Sequence, residues 1–144
     1  FNNPLDVVPS KTEGDTFYVA DTGNNVVRKV LLSQNEVMDF AGNRQVQGND
    51  EGDGVNALAA RIFHPRGVIT DSLGNVYISS EKGLIWKVDP QNEITMLAGK
   101  SRKNVPADSS GLDELSLQSP TGMALDETNS ILYVADTGNH RIVA

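Results

Sequence analysis

The chain has 144 residues, of which 38% are hydrophobic and 22% charged, a composition typical of a globular domain. No apolar run reaches the roughly 20 residues that a membrane helix needs, so no membrane span is expected. The absence of cysteine excludes a disulfide framework, a thiolate metal site and a cysteine nucleophile, and it leaves the localisation open. The net charge of −7 argues against nucleic acid as a partner, because nucleic-acid-binding proteins usually carry a basic, phosphate-neutralising surface.

Three repeat units can be superposed along the single segment 1–144. They cover approximately residues 1–61, 62–116 and 117–144, the last one incomplete. Each has an apolar residue three places before a proline, at Pro4, Pro65 and Pro120. Proline cannot donate a hydrogen bond to a sheet and therefore suits the start of a strand, so a short apolar strand is predicted after each. The chain begins without an initiator methionine or a signal pattern, and we expect it to be an excerpt or a processed product.

The second predicted strand ends in a seven-residue motif that organises the chain. Tyr-Val-Ala-Asp-Thr-Gly-Asn occupies residues 18–24 and recurs unchanged at 133–139, with a weakened copy at 77–83 that has Ser80 in place of the aspartate. A repeat of this size indicates a repeat architecture. The motif predicts a tight hairpin turn, because glycine and asparagine tolerate left-handed backbone conformations.

The aspartates of the motif have two interpretations. Either each one caps its own turn, as aspartate side chains commonly do, or they form a ring of carboxylates for a ligand or a cation. We assign a structural role to Asp21, Gly23, Asn24, Asp136, Gly138, Asn139 and Arg141. Arg141 is expected to pair with Asp136, and this pair is expected only in the third unit, because Val26 and Leu84 stand at the arginine position in the other two.

The third and fourth strands complete each unit. The third is predicted at 26–31 and 84–88 and begins again at Arg141, and Trp86 within it is expected to pack between blades. The fourth is indicated by segments 34–42 and 91–99, which align without a gap and share five of nine residues. Four short strands joined by hairpins are typical of a β-propeller blade. The best helical candidate is the segment 55–61, of two turns at most.

Several of these segments together resemble NHL repeats. The pattern of that family is matched by Pro65-Arg66-Gly67-Val68 and by residues 134–142, and Gly52-Asp53-Gly54 with the residues after it is similar to the long-loop variant. The resemblance implies an all-β fold of about three four-stranded antiparallel blades, a partial ring of an NHL-type β-propeller that has six blades when complete. Further blades are expected from a longer chain or, alternatively, from self-association.

The predicted topology places the candidate binding residues on one face. The long connections between blades share that face with the motif turns, and loops on a rigid scaffold commonly carry binding sites. The candidates are Asp50, Glu51, Asp53, His64, Arg66, Asp108 and His140. Among them, His64 and Arg66 flank Pro65 at the start of a first strand and are expected to approach the central channel.

No cofactor is predicted, although a calcium site is an alternative. Residues 49–54 resemble the start of a calcium loop, but an EF-hand needs an acidic twelfth residue, and Ala60 or Arg61 stands there. NHL-like propellers such as the peptidyl-hydroxyglycine lyases carry a zinc ion held by histidines, and only His64 falls at a comparable position. The function predicted is therefore non-catalytic recognition of a protein or peptide through the long-loop face. The alternative is a metal-dependent propeller lyase or hydrolase that uses the central channel with residues from further blades.

Overall fold

The computed structural model describes residues 1–44, 52–99 and 115–144. The described residues form twelve β-strands and no α-helix. The strands are β1 (Asp6–Pro9), β2 (Thr16–Asp21), β3 (Val26–Leu31), β4 (Glu36–Ala41), β5 (Val55–Asn56), β6 (Pro65–Thr70), β7 (Val76–Ser80), β8 (Ile85–Val88), β9 (Glu93–Ala98), β10 (Met123–Asp126), β11 (Ile131–Asp136) and β12 (Arg141–Val143). No helix in these ranges is long and apolar enough to cross a membrane.

The strands assemble into three antiparallel sheets that pack face to face. The sheet orders are β1-β2-β3-β4, β5-β9-β8-β7-β6 and β10-β11-β12. One apolar cluster joins the first sheet to the second, and another joins the second to the third. The first strands of the three sheets are neighbours, since β6 packs against both β1 and β10. These sheets are propeller blades, which confirms the all-β, propeller-type fold predicted from the repeats.

Packing between blades explains why successive side chains along a strand face different neighbours. Val7 and Val68 occupy the same position of the first strand, on the face turned towards the preceding blade. Val68 is 1% exposed because the first blade covers it, whereas Val7 is 61% exposed at the open end of the described assembly. Tyr18 points the other way, into the core shared with the second blade, and its ring packs edge-on against Phe40 at a centroid distance of 4.6 Å.

The connection between the first and second blades differs from the prediction. Residues 55–61 do not form a helix: Val55 and Asn56 pair with Ile94 and Glu93 of β9, which gives the second blade five strands instead of four. A two-turn helix is marginal by itself, whereas strand pairing satisfies backbone groups at the edge of an existing sheet.

The following residues of this connection fill the wedge between the two blades. Ala57, Ala60 and Ile62 are at most 2% exposed and belong to the same core cluster as Trp86, which is fully buried as expected. This part of the long connection therefore contributes to packing. The unit boundaries at 61 and 116 stay predictions, and β5 shows that the first unit supplies a strand to the second blade.

The motif turns lie beside the segments that lead into the first strands. Gly23 N donates to Asn2 O at 2.9 Å, and Gly138 N donates to Gln118 O at 2.8 Å. A Cβ atom at Gly23 would lie 2.8 Å from Asn2 O, so a larger residue would break this contact. The segments just before Pro4 and Pro120 and the motif turns thus share one face, called here the loop face, and the turns between first and second strands form the opposite face. Residues 56 and 57 of the first long connection reach that opposite face, where Ala57 N donates to Asn92 O at 2.8 Å.

On the opposite face, Glu127 joins all three blades. Its Oε1 lies 2.5 Å from Lys11 Nζ of the first blade, and its Oε2 accepts hydrogen bonds from the backbone N at 2.9 Å and the hydroxyl of Ser72 in the second blade. The hydrogen bonds from Lys11 and Ser72 lower the pKa of Glu127 from its ordinary value of 4.5 to about 2. Glu127 is therefore charged across the physiological range.

Replacing Glu127 with glutamine is expected to lower the urea midpoint of unfolding at pH 7. The folded-state pKa lies below the unfolded value, so the stabilisation is present above pH 4.5 and is lost as the pH falls towards about 2. The difference between wild type and Glu127→Gln should thus shrink over that interval. Glu36→Gln, at an exposed strand end, serves as the control and should match the wild type throughout. A difference that stayed constant with pH would contradict this assignment.

Candidate functional site

Asp21, the aspartate of the first motif copy, is buried at the end of β2. Its Oδ1 accepts a hydrogen bond from Asn2 N at 2.7 Å, and its Oδ2 accepts from Asn24 Nδ2 and Arg28 Nε, both at 2.8 Å. The side chain is 0% exposed. Asp21 does not cap the backbone of its own turn, and instead it ties the turn to the segment before β1.

Asp136, the equivalent residue in the third blade, repeats this arrangement. Its Oδ1 accepts from Gln118 N at 2.7 Å, and its Oδ2 accepts from Asn139 Nδ2 and Arg141 Nε at 2.8 Å. The Arg141–Asp136 pair is the one expected from the sequence. The expectation that the third unit alone contains such a pair is wrong, because Arg28 reaches Asp21 from two positions further along its strand.

These contacts assign the motif aspartates to the scaffold. Burial opposes ionisation of Asp21 and Asp136, but the backbone N–H of Asn2 or Gln118, the asparagine amide and the arginine hold the pKa of each below its usual value. Both carboxylates are therefore charged, fully buried and already bound by three donors. This geometry does not support the alternative of a carboxylate ring open to a ligand.

The middle blade departs from this pattern, and the departure creates a surface cluster. Ser80 stands at the aspartate position, and the carboxylate is supplied by the next residue, Glu81. Glu81 N donates to the carbonyl oxygens of Phe63 and His64 at 3.2 Å, as the motif turn does to its leading segment in the other blades. Its Oε2 lies 3.0 Å from both His64 Nδ1 and Arg66 Nη2, and its side chain is 35% exposed.

Arg66 and Lys82 bring two cationic side chains to the surroundings of Glu81. Lys82 Nζ lies 4.3 Å from the centroid of the Phe63 ring, which stacks on the His64 ring at 4.1 Å. Burial opposes ionisation of Glu81, but the hydrogen bonds and charges of His64 and Arg66 hold its pKa below the usual value. We call the five residues Phe63, His64, Arg66, Glu81 and Lys82 the Glu81 cluster.

The first blade positions the cluster. His64 adopts a left-handed backbone conformation with φ of 45°, and its N donates to Asn25 Oδ1 at 2.9 Å. Thr22 Oγ1 donates to Pro65 O at 2.6 Å. The motif turn of one blade therefore fixes the start of the first strand in the next. The repeated motif thereby supports the site without forming it.

Comparisons with known proteins agree with this architecture. The family model of the Teneurin NHL domain matches residues 31–143. The chain belongs to the NHL repeat family. The NHL chain is 34% identical over 134 residues to NHL repeat-containing protein 2 of Homo sapiens, covering 87% of this chain and 18% of that protein. It is 29% identical over 120 residues to Teneurin-4 of Homo sapiens, covering 78% of this chain and 4% of that protein. It thus spans less than a fifth of the length of these relatives.

Solved structures share the fold of the NHL chain at low sequence identity. An auxiliary nutrient binding protein from Bacteroides thetaiotaomicron superposes with a TM-score of 0.65 and 19% identity, covering 90% of this chain and 34% of that one. A protein of unknown function from the same organism superposes with a TM-score of 0.70 and 22% identity, covering 88% of this chain and 31% of that one. At these identities, the likeness shows the fold alone.

The remaining candidate residues of the NHL chain are dispersed. Asp53 Oδ1 accepts a hydrogen bond from Met96 N at 2.7 Å, so Asp53 holds the long connection against β9. His140 is exposed in the third blade, and in the described ranges no hydrogen bond or ion pair joins it to the Glu81 cluster. Asp50, Glu51 and Asp108 lie outside the described residues.

Of the five residues in the Glu81 cluster, the sequence analysis proposed His64 and Arg66 as binding residues and did not propose Phe63, Glu81 or Lys82. The available signal was the loss of the motif aspartate at Ser80, directly followed by a glutamate. Within residues 1–44, 52–99 and 115–144, no group of three or more histidine, aspartate or glutamate side chains is arranged to hold a metal ion. The calcium alternative rests in part on residues 49–51, which lie outside the described ranges, and stays a prediction.

Proposed function

We propose that this NHL chain is a non-catalytic recognition module that binds a protein or peptide through its loop face, with the Glu81 cluster as the anchor. The observation that carries the proposal is the difference between the blades. The first and third blades bury their motif carboxylate completely, whereas the middle blade presents a carboxylate that is 35% exposed and contacts Arg66 and His64. Loop residues held by a rigid scaffold are suited to binding.

Arg66 has unused capacity to bind a partner. A guanidinium carries five N–H donors, and one contact to Glu81 leaves the planar fork able to meet a carboxylate or a backbone carbonyl. Its Nε is shielded from solvent and has no hydrogen-bond partner among the described residues. That atom cannot be reached from solvent, so the acceptor of a partner would meet the terminal nitrogens of the guanidinium, whose side chain is 29% exposed.

The ring pair beside Arg66 offers the second element of an anchor. Phe63 and His64 stack, and the His64 side chain is 37% exposed, so one edge of the pair is open to a partner. Aromatic and arginine side chains are enriched among the residues that dominate binding energy at protein interfaces. The combination therefore fits a peptide segment that supplies hydrogen-bond acceptors next to an apolar side chain.

The proposal is tested with peptides selected from a random display library panned on the NHL chain. Arg66→Ala is expected to weaken the selected peptides about tenfold, in line with the loss of a charge-assisted hydrogen bond. Arg44→Ala is the matched control, since Arg44 also pairs with a carboxylate, Asp39 at 2.8 Å, but lies outside the cluster. Fluorescence anisotropy gives both dissociation constants.

Two results would contradict the proposal. Equal losses in Arg66→Ala and Arg44→Ala would show that the Glu81 cluster is not the anchor. A metal ion bound tightly and stoichiometrically, measured by elemental analysis of the purified chain, would favour the metal-dependent propeller enzyme instead.

A further inference from the structure

A cleft of ≈ 510 Å³ opens between the second and third blades on the opposite face. Leu97, Leu125 and Leu132 supply apolar walls, and Tyr77 and Lys87 project from neighbouring strands of the second blade. Ligand sites in proteins are concave and mostly apolar, with a few placed polar groups that fix orientation. This cleft has apolar walls, and the rest of its lining is polar and includes the carboxylates of Asp71 and Glu127. The proposed function does not use it.

Lys87 is the unusual group in the cleft. Tyr77 faces Lys87 across β7 and β8, just as Tyr18 faces Lys29 across β2 and β3 in the first blade. Lys29 Nζ lies 2.6 Å from Glu13 Oε2, which neutralises it. Lys87 is partly buried and makes no ion pair or hydrogen bond with any described residue.

The carboxylates near Lys87 are already engaged. Asp71 accepts hydrogen bonds from both nitrogens of Asn75, from Leu73 N and from the Tyr77 hydroxyl. Glu127 is bound by Lys11 and Ser72. The turn between β6 and β7 has no counterpart of Glu13, so the ammonium of Lys87 is the charge in this cleft left without a partner among the described residues.

The rim of the cleft adds an apolar contact. Leu73 is 76% exposed at the tip of the turn between β6 and β7. Its backbone is fixed, because Leu73 N donates to Asp71 Oδ1 at 3.0 Å and Asp71 is itself buried. A rigidly presented leucine loses little conformational entropy when it is covered by a partner.

We propose that this cleft binds an acidic peptide in which a carboxylate neighbours a leucine-like side chain. The carboxylate pairs with Lys87, the apolar side chain inserts between Leu97 and Leu132, and Leu73 covers the bound segment. Charge complementarity selects the occupant, because a partly desolvated ammonium gains most from an ionised acceptor. The inference goes beyond the proposed function, since it concerns a different face and a different set of residues.

The probe is an acetylated and amidated hexapeptide of alternating leucine and glutamate, compared with the same peptide carrying glutamine. Each is titrated into the isotope-labelled 144-residue chain, and the backbone amide shifts are followed by NMR. The glutamate peptide is expected to bind about tenfold more tightly than the glutamine peptide and to shift the amides of Tyr77, Lys87 and Leu132. Lys87→Gln should weaken the glutamate peptide by a similar factor.

Lys29→Gln is the matched control. Lys29 lines the corresponding cleft between the first and second blades, but Glu13 already neutralises it, so this variant should bind like the wild type. Equal binding of the two peptides, no shift at millimolar peptide, or equal losses in Lys29→Gln and Lys87→Gln would each overturn the proposal. The peptide comparison on the unmodified chain keeps the test valid if Lys87→Gln folds poorly. Arg66→Ala should leave these titrations unchanged, which separates this proposal from the loop-face function.

Discussion

Replacing Asp21 with asparagine is expected to destabilise the chain by about 3 kcal/mol, among the largest effects of any single polar substitution here. Asp21 is fully buried and accepts hydrogen bonds from Asn2 N, Asn24 Nδ2 and Arg28 Nε. Asparagine has a similar shape but cannot neutralise the Arg28 guanidinium, whose side chain is only 11% exposed. Without Asp21, the nearly buried guanidinium keeps only Asp39, a partly solvated carboxylate, as its counter-charge, and breaking a buried ion pair is strongly destabilising.

Asp39 provides a matched control, because it binds the same arginine from the surface. Arg28 Nη1 lies 2.5 Å from Asp39 Oδ1, and the Asp39 side chain is 30% exposed. Asp39→Asn is therefore expected to cost about 1 kcal/mol or less, as is usual for solvated ion pairs. Urea unfolding at pH 7, followed by the fluorescence of the single tryptophan, Trp86, gives both values. Equal costs would mean that burial of Asp21 does not determine the strength of the contact.

The repeated motif made much of the fold predictable, because the same residues form the same local bonds wherever they occur. Asp21 and Asp136 each bind a backbone N–H two residues before a proline, the asparagine three positions on and an arginine. The pattern of short strands and turns follows from contacts within one blade. Such contacts depend on nearby residues, and a sequence repeat records them directly.

The features that sequence reasoning missed depend on contacts between distant segments. Val55 and Asn56 carry a weak local pattern, and their strand conformation is set by the edge of β9, whose residues lie almost forty positions away. Arg28 replaces the expected motif arginine because its long side chain reaches back to Asp21. Comparing the repeats position by position cannot reveal this pair, because Arg28 lies two positions after the place where the motif has its arginine.

The candidate site was only half predictable for a similar reason. His64 and Arg66 could be placed at the start of a first strand from the proline beside them. Glu81 joins them through a hairpin that brings the end of β7 next to the start of β6, where Pro65 pairs with Ser80. The sequence shows that the middle motif copy has serine at the aspartate position and a glutamate directly after it. The consequence of this change depends on His64 and Arg66, which the fold places against the carboxylate.

Replacing Gly67 with alanine is the second substitution with a large expected effect, because it tests the contact between the second and third blades. A Cβ atom at Gly67 would overlap the carbonyl oxygen of Thr121 and lie 2.9 Å from Ser79 Oγ, which itself donates to Thr121 O at 2.7 Å. The obstacle is backbone of the neighbouring blade, which cannot move without displacing β10. We expect Gly67→Ala to cost about 3 kcal/mol, the upper part of the range for overpacking.

Gly122 is the matched control, since it occupies the same position after its proline in the third blade. Nothing lies within 4 Å of a Cβ atom built there, so Gly122→Ala should change stability by no more than about 0.5 kcal/mol. Hydrogen exchange shows where the chain is destabilised. In Gly67→Ala, the backbone amides of β10 and β11 should lose protection against exchange, while those of β2 and β3 retain it. Uniform loss of protection across the first and third blades would contradict a local disruption at this contact. Similar stability changes in the two variants would show that the glycine matters for its backbone and not for the close approach of the third blade.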